Sequence, residues 1–294
     1  MENIIKRRIL FFIKIVITAI ILYFILRKIN FYLLIQNFSS IGFSTVILLI
    51  LTTCIKLYTQ YFNWGKLLKL NPDYKPQRAE IIKSYFIGDA LRFLIPGGYG
   101  TFGKIYFVNN LKKATAFSIG IEKFFQIWIN LFFASFASIF YFRNINIFLK
   151  LIIFILILLM PFLLYFFSKT IMKNKIKIFS KYYLKTTPQI IVMQIIHNFI
   201  TFFQYFIILK SFVTISFLMV CIAVSLILVA NIIPITYAGL GLRETFAIQV
   251  LSKFNISPEI AVAASLIIFF INLVLPAFAG LIFIIQSKKI KNPQ

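Results

Sequence analysis

The residues with chemistry to offer are charged residues set in apolar surroundings. Arg243 and Glu244 follow Gly239-Leu240-Gly241-Leu242, with Pro234 a little upstream. Glu122-Lys123 lies inside the apolar run Phe117–Phe142, and Asp89 and Arg92 lie inside Ile81–Ile95. A second break, Ile95-Pro96-Gly97-Gly98-Tyr99-Gly100, follows that run, with Lys104 just beyond it. Guanidinium groups and freed backbone amides can hold phosphate. A carboxylate among them can pair with the cations or act as an acid or base. Pro removes a backbone donor and Gly loosens a helix, and broken backbone at membrane depth is tolerated only against protein or a water-filled cavity. A charge there marks a functional site by default. Glu122 and Glu244 each have a cation next in sequence, but adjacent helical residues do not face each other, so their partners are expected on other segments. Asp89 and Arg92, three apart, can pair locally.

The elements that must position these groups are membrane helices. The chain has 294 residues, 61% of them hydrophobic, and a mean hydropathy of +0.94. Soluble domains run at roughly 45–50% apolar. The apolar segments are Ile9–Leu26, Phe43–Phe62, Ile81–Ile95, Phe117–Phe142, Leu151–Phe167, Gln189–Leu209, Phe212–Ile233 and Ala261–Ile285, several of them near the length that crosses a bilayer. The expected fold is all-α and polytopic, with about seven or eight transmembrane helices and one or two re-entrant or broken Pro/Gly segments. It forms a single integral membrane domain over 1–294, with halves of roughly 1–142 and 188–294 joined by helix 151–167. The basic Met1–Arg8 and apolar Ile9–Leu26 lack a small-x-small cleavage site and read as a retained first helix.

The net charge is +24, from 31 Lys and Arg against 7 Asp and Glu. In a soluble protein this would suggest nucleic acid. Here the charges gather at helix ends and short loops, where they set topology and attract anionic headgroups. Lys6, Arg7 and Arg8 place the N-terminus in the cytoplasm, and the lysine-rich stretch Ser168–Pro188 reads as a cytoplasmic loop. Two cytoplasmic points need an even number of crossings between them, so one of the five intervening apolar segments does not cross. Ile81–Ile95 is short, charged and ends in Pro-Gly-Gly, and reads as one arm of a re-entrant hairpin. Lys288, Lys289 and Lys291 favour a cytoplasmic C-terminus in the cell membrane, which would have Pro234–Phe254 cross as broken pieces. The similar layout of the two halves, two spans and then a break, would have it turn back instead. On the charges, Pro234–Phe254 is expected to cross.

Polar residues recur on single helix faces: Thr52, Lys56, Thr59, Gln60 and Asn63; Ser118, Glu122, Gln126 and Asn130; Gln194, His197, Thr201 and Gln204; Ser265, Asn272 and Pro276. Each stripe suits ordinary interhelical hydrogen bonding, and together they suit a shared polar interior. Lys56 can alternatively snorkel to an interface. Cys54 and Cys221 sit in apolar runs and read as small packing residues, and His197 has no partners for a metal site. No metal, cofactor or catalytic residue set is expected.

The two breaks resemble those of the lysylphosphatidylglycerol synthase transmembrane-region family, the flippase-like membrane proteins. The residues that carry the resemblance are Pro96-Gly97-Gly98-Tyr99-Gly100-Thr101-Phe102-Gly103-Lys104, then Glu122-Lys123, then Pro234 through Ala238-Gly239-Leu240-Gly241-Leu242-Arg243-Glu244. Thr101 stands where the family usually has an acidic residue, and Lys104 and Lys123 where it usually has Arg. The resemblance implies the lipid-moving membrane part without the soluble aminoacyl-transferase domain of the larger members. It implies a substrate-binding set of Pro96, Gly97, Gly98, Gly100, Lys104, Glu122, Pro234, Gly239, Gly241, Arg243 and Glu244, to which the charge in the preceding apolar run adds Arg92. The function expected is movement or handling of a phospholipid or lipid-linked headgroup between leaflets. The alternatives are an intramembrane enzyme acting on a lipid carrier and a non-catalytic membrane partner of a separate lipid-modifying synthase. The partners expected are anionic or phosphate-bearing membrane lipids and a separately encoded lipid-modifying enzyme. Nucleic acid is not expected.

Overall fold

The computed structural model describes residues 13, 15–24, 27, 30–95, 99–171 and 177–291. Their regular structure is helical: α1 (Ile15–Phe24), then α2 (Phe31–Ser39), α3 (Phe43–Leu68), α4 (Arg78–Leu94), α5 (Lys112–Tyr141), α6 (Ile147–Ile171), α7 (Lys177–Lys210), α8 (Phe217–Ile227), α9 (Leu242–Leu251), α10 (Pro258–Phe269) and α11 (Leu275–Lys291). Short 3-10 segments cover Tyr99–Phe107, Leu228–Ile232 and Tyr237–Gly239, and a π turn, Phe270–Val274, joins α10 to α11.

Five helical stretches are long and apolar enough to cross a membrane: Phe43–Leu68, Lys112–Tyr141, Ile147–Phe166, Tyr183–Lys210 and Pro258–Gln286; α1 and Phe217–Ile232 are shorter apolar helices. The apolar span of α6 has a mean hydropathy of 3.0, yet only 11% of it is buried within the protein. Phe148, Ile152, Leu156, Phe162 and Leu163 all point outward from it. An apolar exterior of this extent requires hydrocarbon around it, and the chain is an integral membrane protein.

Contacts between helix termini define two ends of the bundle. At one end Asn71 donates to Asn110 (2.6 Å), the backbone amide of Asn109 donates to Glu80, and Tyr183 near the start of α7 stacks on Tyr165 of α6. At the other end the Tyr141 hydroxyl donates to the Val250 carbonyl (3.3 Å), Phe206 meets Phe217, and the Asn30 amide donates to Glu259 (3.4 Å).

Two elements leave one end, stop partway and return. α4 starts beside the Asn71–Asn110 end and stops at Ile95, which is extended (φ −109°, ψ 113°) as a residue before proline must be. The segment Tyr99–Phe107 then runs back along α4, so tightly that a Cβ on Gly100 would sit 1.9 Å from the Leu91 carbonyl oxygen. The sequence reading of Ile81–Ile95 as one arm of a hairpin describes this path. α8 starts at the opposite end, breaks after Ile232, and α9 returns along it. Two sequence expectations change here. Phe212–Ile233 yields an apolar helix shorter than the five long enough to cross, and Pro234–Phe254 folds back against it as α9. Among the described residues Ser168–Pro188 is helix, since α6 extends to Ile171, α7 begins at Lys177, and Pro188 lies inside α7.

α4 is also held from outside by α11. A Cβ on Gly280 would sit 2.0 Å from the Phe86 carbonyl oxygen, and the Phe86 and Phe283 rings pack 6.0 Å apart. Only a glycine permits two helix backbones to approach this closely.

Candidate functional site

The second break is shaped by left-handed backbone. Ala238, Gly239 and Gly241 have φ of 53°, 79° and 82°. Glycine adopts these values without the steric cost other residues carry, which accounts for two of the three positions. Gly241 caps α9, and its amide donates to Glu244 Oε2 at 2.6 Å. The α1 helix covers this break from outside: Thr18 Oγ1 accepts from the Tyr237 amide (2.7 Å), and Ile21 packs where a Cβ on Gly241 would project.

The two hairpin tips touch. The Tyr237 hydroxyl donates to the Phe93 carbonyl at the end of α4, and the two rings meet edge-on at 6.1 Å. Phe93 is in the last turn of α4, where carbonyls lack helical partners, so the phenol satisfies an otherwise orphaned acceptor.

Each hairpin carries one buried ion pair. Lys104 Nζ donates to both Glu122 oxygens, at 3.1 and 2.9 Å, which ties the first hairpin to α5. The ammonium also lies 4.3 Å from the centre of the Trp64 ring and 5.2 Å from that of Tyr85. Trp64 is fixed in turn by its indole N–H bond to Ser84 (2.8 Å). Lys104 lies flat across Gly88, where a Cβ would come within 2.3 Å of its Cε.

In the second hairpin Arg243 Nη2 donates to Glu244 Oε1 at 2.7 Å, and Ser265 of α10 bridges them, accepting from Arg243 Nε and donating to Glu244 Oε1, both at 2.9 Å. Arg243 also lies over Phe269, 4.9 Å from its ring centre. The expected partner on another segment is thus present for Glu122, but Glu244 pairs with its own neighbour. At a helix N-terminus the glutamate folds back to cap the first turn, which brings its second oxygen within reach of the long Arg243 side chain. The expected Asp89–Arg92 pair does not form: among the described residues the ion pairs within 4.0 Å are Lys104–Glu122 and Arg243–Glu244. Asp89 and Arg92 instead both line the space between the hairpins.

That space is a cavity of about 470 Å³. The first hairpin contributes Asp89, Arg92, Thr101 and Lys104; the second contributes Asn231, Pro234, Thr236, Gly239 and Arg243. The walls are α3 with Lys56 and Gln60, α5 with Glu122, Lys123 and Gln126, α7 with Gln194, His197 and Asn198, and Asn272 of the π turn. Five cationic side chains line it against two carboxylates, and Lys56, Arg92 and Lys123 have no acidic partner within 4.0 Å among the described residues.

An amide chain crosses the wall. Lys123 Nζ donates to Gln126 Oε1 (3.0 Å), Gln126 Nε2 to Gln60 Oε1 (3.3 Å), and Gln60 Nε2 to Gln194 Oε1 (3.2 Å). A neighbouring set joins α3, α7 and the π turn: Gln204 donates to Thr53 (2.9 Å), and Asn272 donates to Gln204 (2.8 Å). The Thr59 hydroxyl and His197 Nδ1 lie 3.3 Å apart, so His197 is engaged in packing between α3 and α7.

Of the residues singled out in the sequence, Arg92, Lys104, Glu122, Pro234, Gly239 and Arg243 line the cavity. Gly100 serves the close return of the first hairpin, Gly241 the cap of α9, and Glu244 stands behind Arg243. Pro96, Gly97 and Gly98 lie outside the described residues. Sequence reasoning placed Lys56, Gln60, Gln126 and Gln194 on polar stripes without assigning them to a site. It missed Tyr85, Asn198, Asn231 and Tyr237; the polar atoms of a broken segment, Asn231 and Tyr237, were the available signal.

A family model described as the lysylphosphatidylglycerol synthase TM region matches residues 11–280. No curated protein matches the chain, and no solved structure does.

Proposed function

The chain belongs to the lysylphosphatidylglycerol synthase TM-region family, and from that premise we propose that it moves a phosphate-bearing lipid headgroup between leaflets through the cavity between its hairpins. The observation that carries this reading is the meeting of two opposed hairpins, one from each half, around a space with an excess of cationic groups. The volume, about 470 Å³, falls in the range of small-ligand sites, roughly 300–1,000 Å³, and suits a headgroup but not acyl chains. The chains remain in hydrocarbon during passage, since moving them into water costs about 0.8 kcal/mol per methylene. Arg92 and Lys123 offer charge-assisted hydrogen bonds to a phosphate in surroundings where such bonds are stronger than in water.

The arrangement also supports a reading of orientation in the cell membrane. With both hairpins turning back, the five helical stretches long enough to cross are α3, α5, α6, α7 and the continuous α10–α11, and the shorter apolar α1 is read as the sixth crossing. That number is even, so both chain termini share a side. Lys66, Lys69, Lys75, Arg78, Lys112 and Lys113 fall at the same end as the start of α7, and this end is the cytoplasmic one by the positive-inside rule. The basic C-terminus and the turn-back of the second hairpin are then compatible. A separately encoded lipid-modifying enzyme would act as the source of the lipid.

The test is leaflet exchange in liposomes. Purified protein should accelerate the accessibility of labelled anionic lipids to an impermeant quencher, and Arg92→Met should slow it several-fold. Exchange equal to protein-free liposomes for every lipid, with folded protein, would remove the reading. A second reading, an intramembrane enzyme acting on a lipid carrier, draws on Asp89, a cavity carboxylate outside both ion pairs. Formation of a new lipid by the purified protein alone would favour it.

A further inference from the structure

We propose that the cavity takes a lipid phosphate whose headgroup is otherwise uncharged and polyhydroxylated, such as glycerol or a sugar, and turns away headgroups that carry an amine. This rests on the transport reading for its setting, but concerns only what is bound. The first ground is charge. Lys104 neutralises Glu122, and Glu244 together with Ser265 engages Arg243. What is left without an ion pair is Lys56, Arg92 and Lys123 against Asp89 alone. A phosphate ester enters this field favourably, whereas an aminoacyl or ethanolamine headgroup brings a further cation into a space that already has an excess of them.

The second ground is the amide chain. Gln126, Gln60 and Gln194 run from Lys123 across to α7, where Asn198 donates to the Gln194 carbonyl at 3.2 Å and keeps its own oxygen for another donor. Lys56 is one helical turn before Gln60, and Lys123 bonds directly to Gln126, so the amides begin where the free cations end. Neutral side chains that both donate and accept match hydroxyl groups, which also do both. A site made only for phosphate needs donors alone. Lys123 bonds to Gln126 itself, so the cations and the amides are adjoining parts of one surface, fit for two joined parts of one headgroup.

The experiment uses the full chain in detergent, with an equimolar panel of phosphatidylglycerol, phosphatidic acid, phosphatidylethanolamine and lysyl-phosphatidylglycerol, read by native mass spectrometry. Phosphatidylglycerol should be retained at least tenfold over the two amine lipids and several-fold over phosphatidic acid, which has phosphate without hydroxyls. Gln60→Met or Gln194→Met should lower phosphatidylglycerol to the level of phosphatidic acid. Lys56→Met and Lys123→Met should lower both. Equal or stronger retention of either amine lipid overturns the proposal, as does equal retention of phosphatidylglycerol and phosphatidic acid by the unmodified protein, so the panel decides without any variant. Soluble glycerol phosphate is added to the same samples: displacement at matched concentration would assign the site to a water-soluble ester and overturn the lipid. Leaflet exchange is measured separately. Preference without exchange keeps this ligand and removes transport, and exchange without preference does the reverse.

Discussion

The hydroxyl of Tyr237 is bonded to the backbone carbonyl of Phe93, which joins the tips of two hairpins that enter the bundle from opposite ends. A buried hydrogen bond of this kind contributes about 1 kcal/mol net. Tyr237→Phe keeps the ring contact and should lower the melting temperature in detergent by a few degrees. Tyr237→Ala, which also loses the edge-on packing, should lower it further. Identical melting of all three proteins would show that the tips are held by other contacts.

The Lys104–Glu122 pair should behave asymmetrically. Lys104→Met leaves a carboxylate buried without its cation, at a cost of about 3–5 kcal/mol. The double replacement Lys104→Met with Glu122→Gln removes both charges and should recover most of that loss. Thermal unfolding of the three variants gives the comparison, and a double variant no better than the single one would locate the damage in packing against Trp64.

Arg243 and Glu244 combine a cap, an ion pair and a cavity wall. Glu244→Ala should destabilise the start of α9 and slow exchange together, because it removes the acceptor for the Gly241 amide as well as the partner of Arg243. Ser265→Ala should cost less, since Arg243 keeps its carboxylate. The charge-free pair Arg243→Met with Glu244→Gln retaining full exchange would make both residues structural.

Gly100 and Gly280 are positions where backbone meets backbone. Alanine at either would place a carbon about 2 Å from a carbonyl oxygen, well inside contact distance. Both variants should show poor folded yield by size-exclusion chromatography. Gly120, whose Cβ would meet nothing within 4 Å, is the control and should accept alanine.

Orientation is open to cysteine labelling after Cys54 and Cys221 are replaced by serine. Asp73→Cys should react only with reagent supplied from the cytoplasmic side, and Arg143→Cys and Lys253→Cys only from outside. Reversal of any one would break the assignment of the two ends.

The charged members of the site were legible in the sequence because a charge in an apolar run is costly enough to stand out. Arg243 and Glu122 show this, whereas Lys104 came from the family resemblance. Tyr237 did not stand out, since its contact lies 144 positions away and no local pattern reports it. Lys56 and Lys123 were visible as residues but not as cavity residues, because a lysine that snorkels and one that faces a cavity have the same sequence setting. The lysines of Ser168–Pro188 suggested a loop, yet Lys is a good helix former and most of that stretch is helix. The second hairpin was read as a span plus a crossing because the apolar run to Ile233 has the composition of one; length divided by a break is what composition does not show.

The close approach of Gly280 to Phe86 has a mechanical consequence. With backbone against backbone, α11 and α4 cannot slide past each other without unlocking, so α11 and the first hairpin form one packed unit. The second hairpin is anchored elsewhere, on α10 through Ser265 and on α5. The packed groups of this protein therefore do not follow its two halves in sequence. The line between them passes through the π turn Phe270–Val274, where one continuous apolar stretch packs in both groups and Asn272 faces the space they enclose.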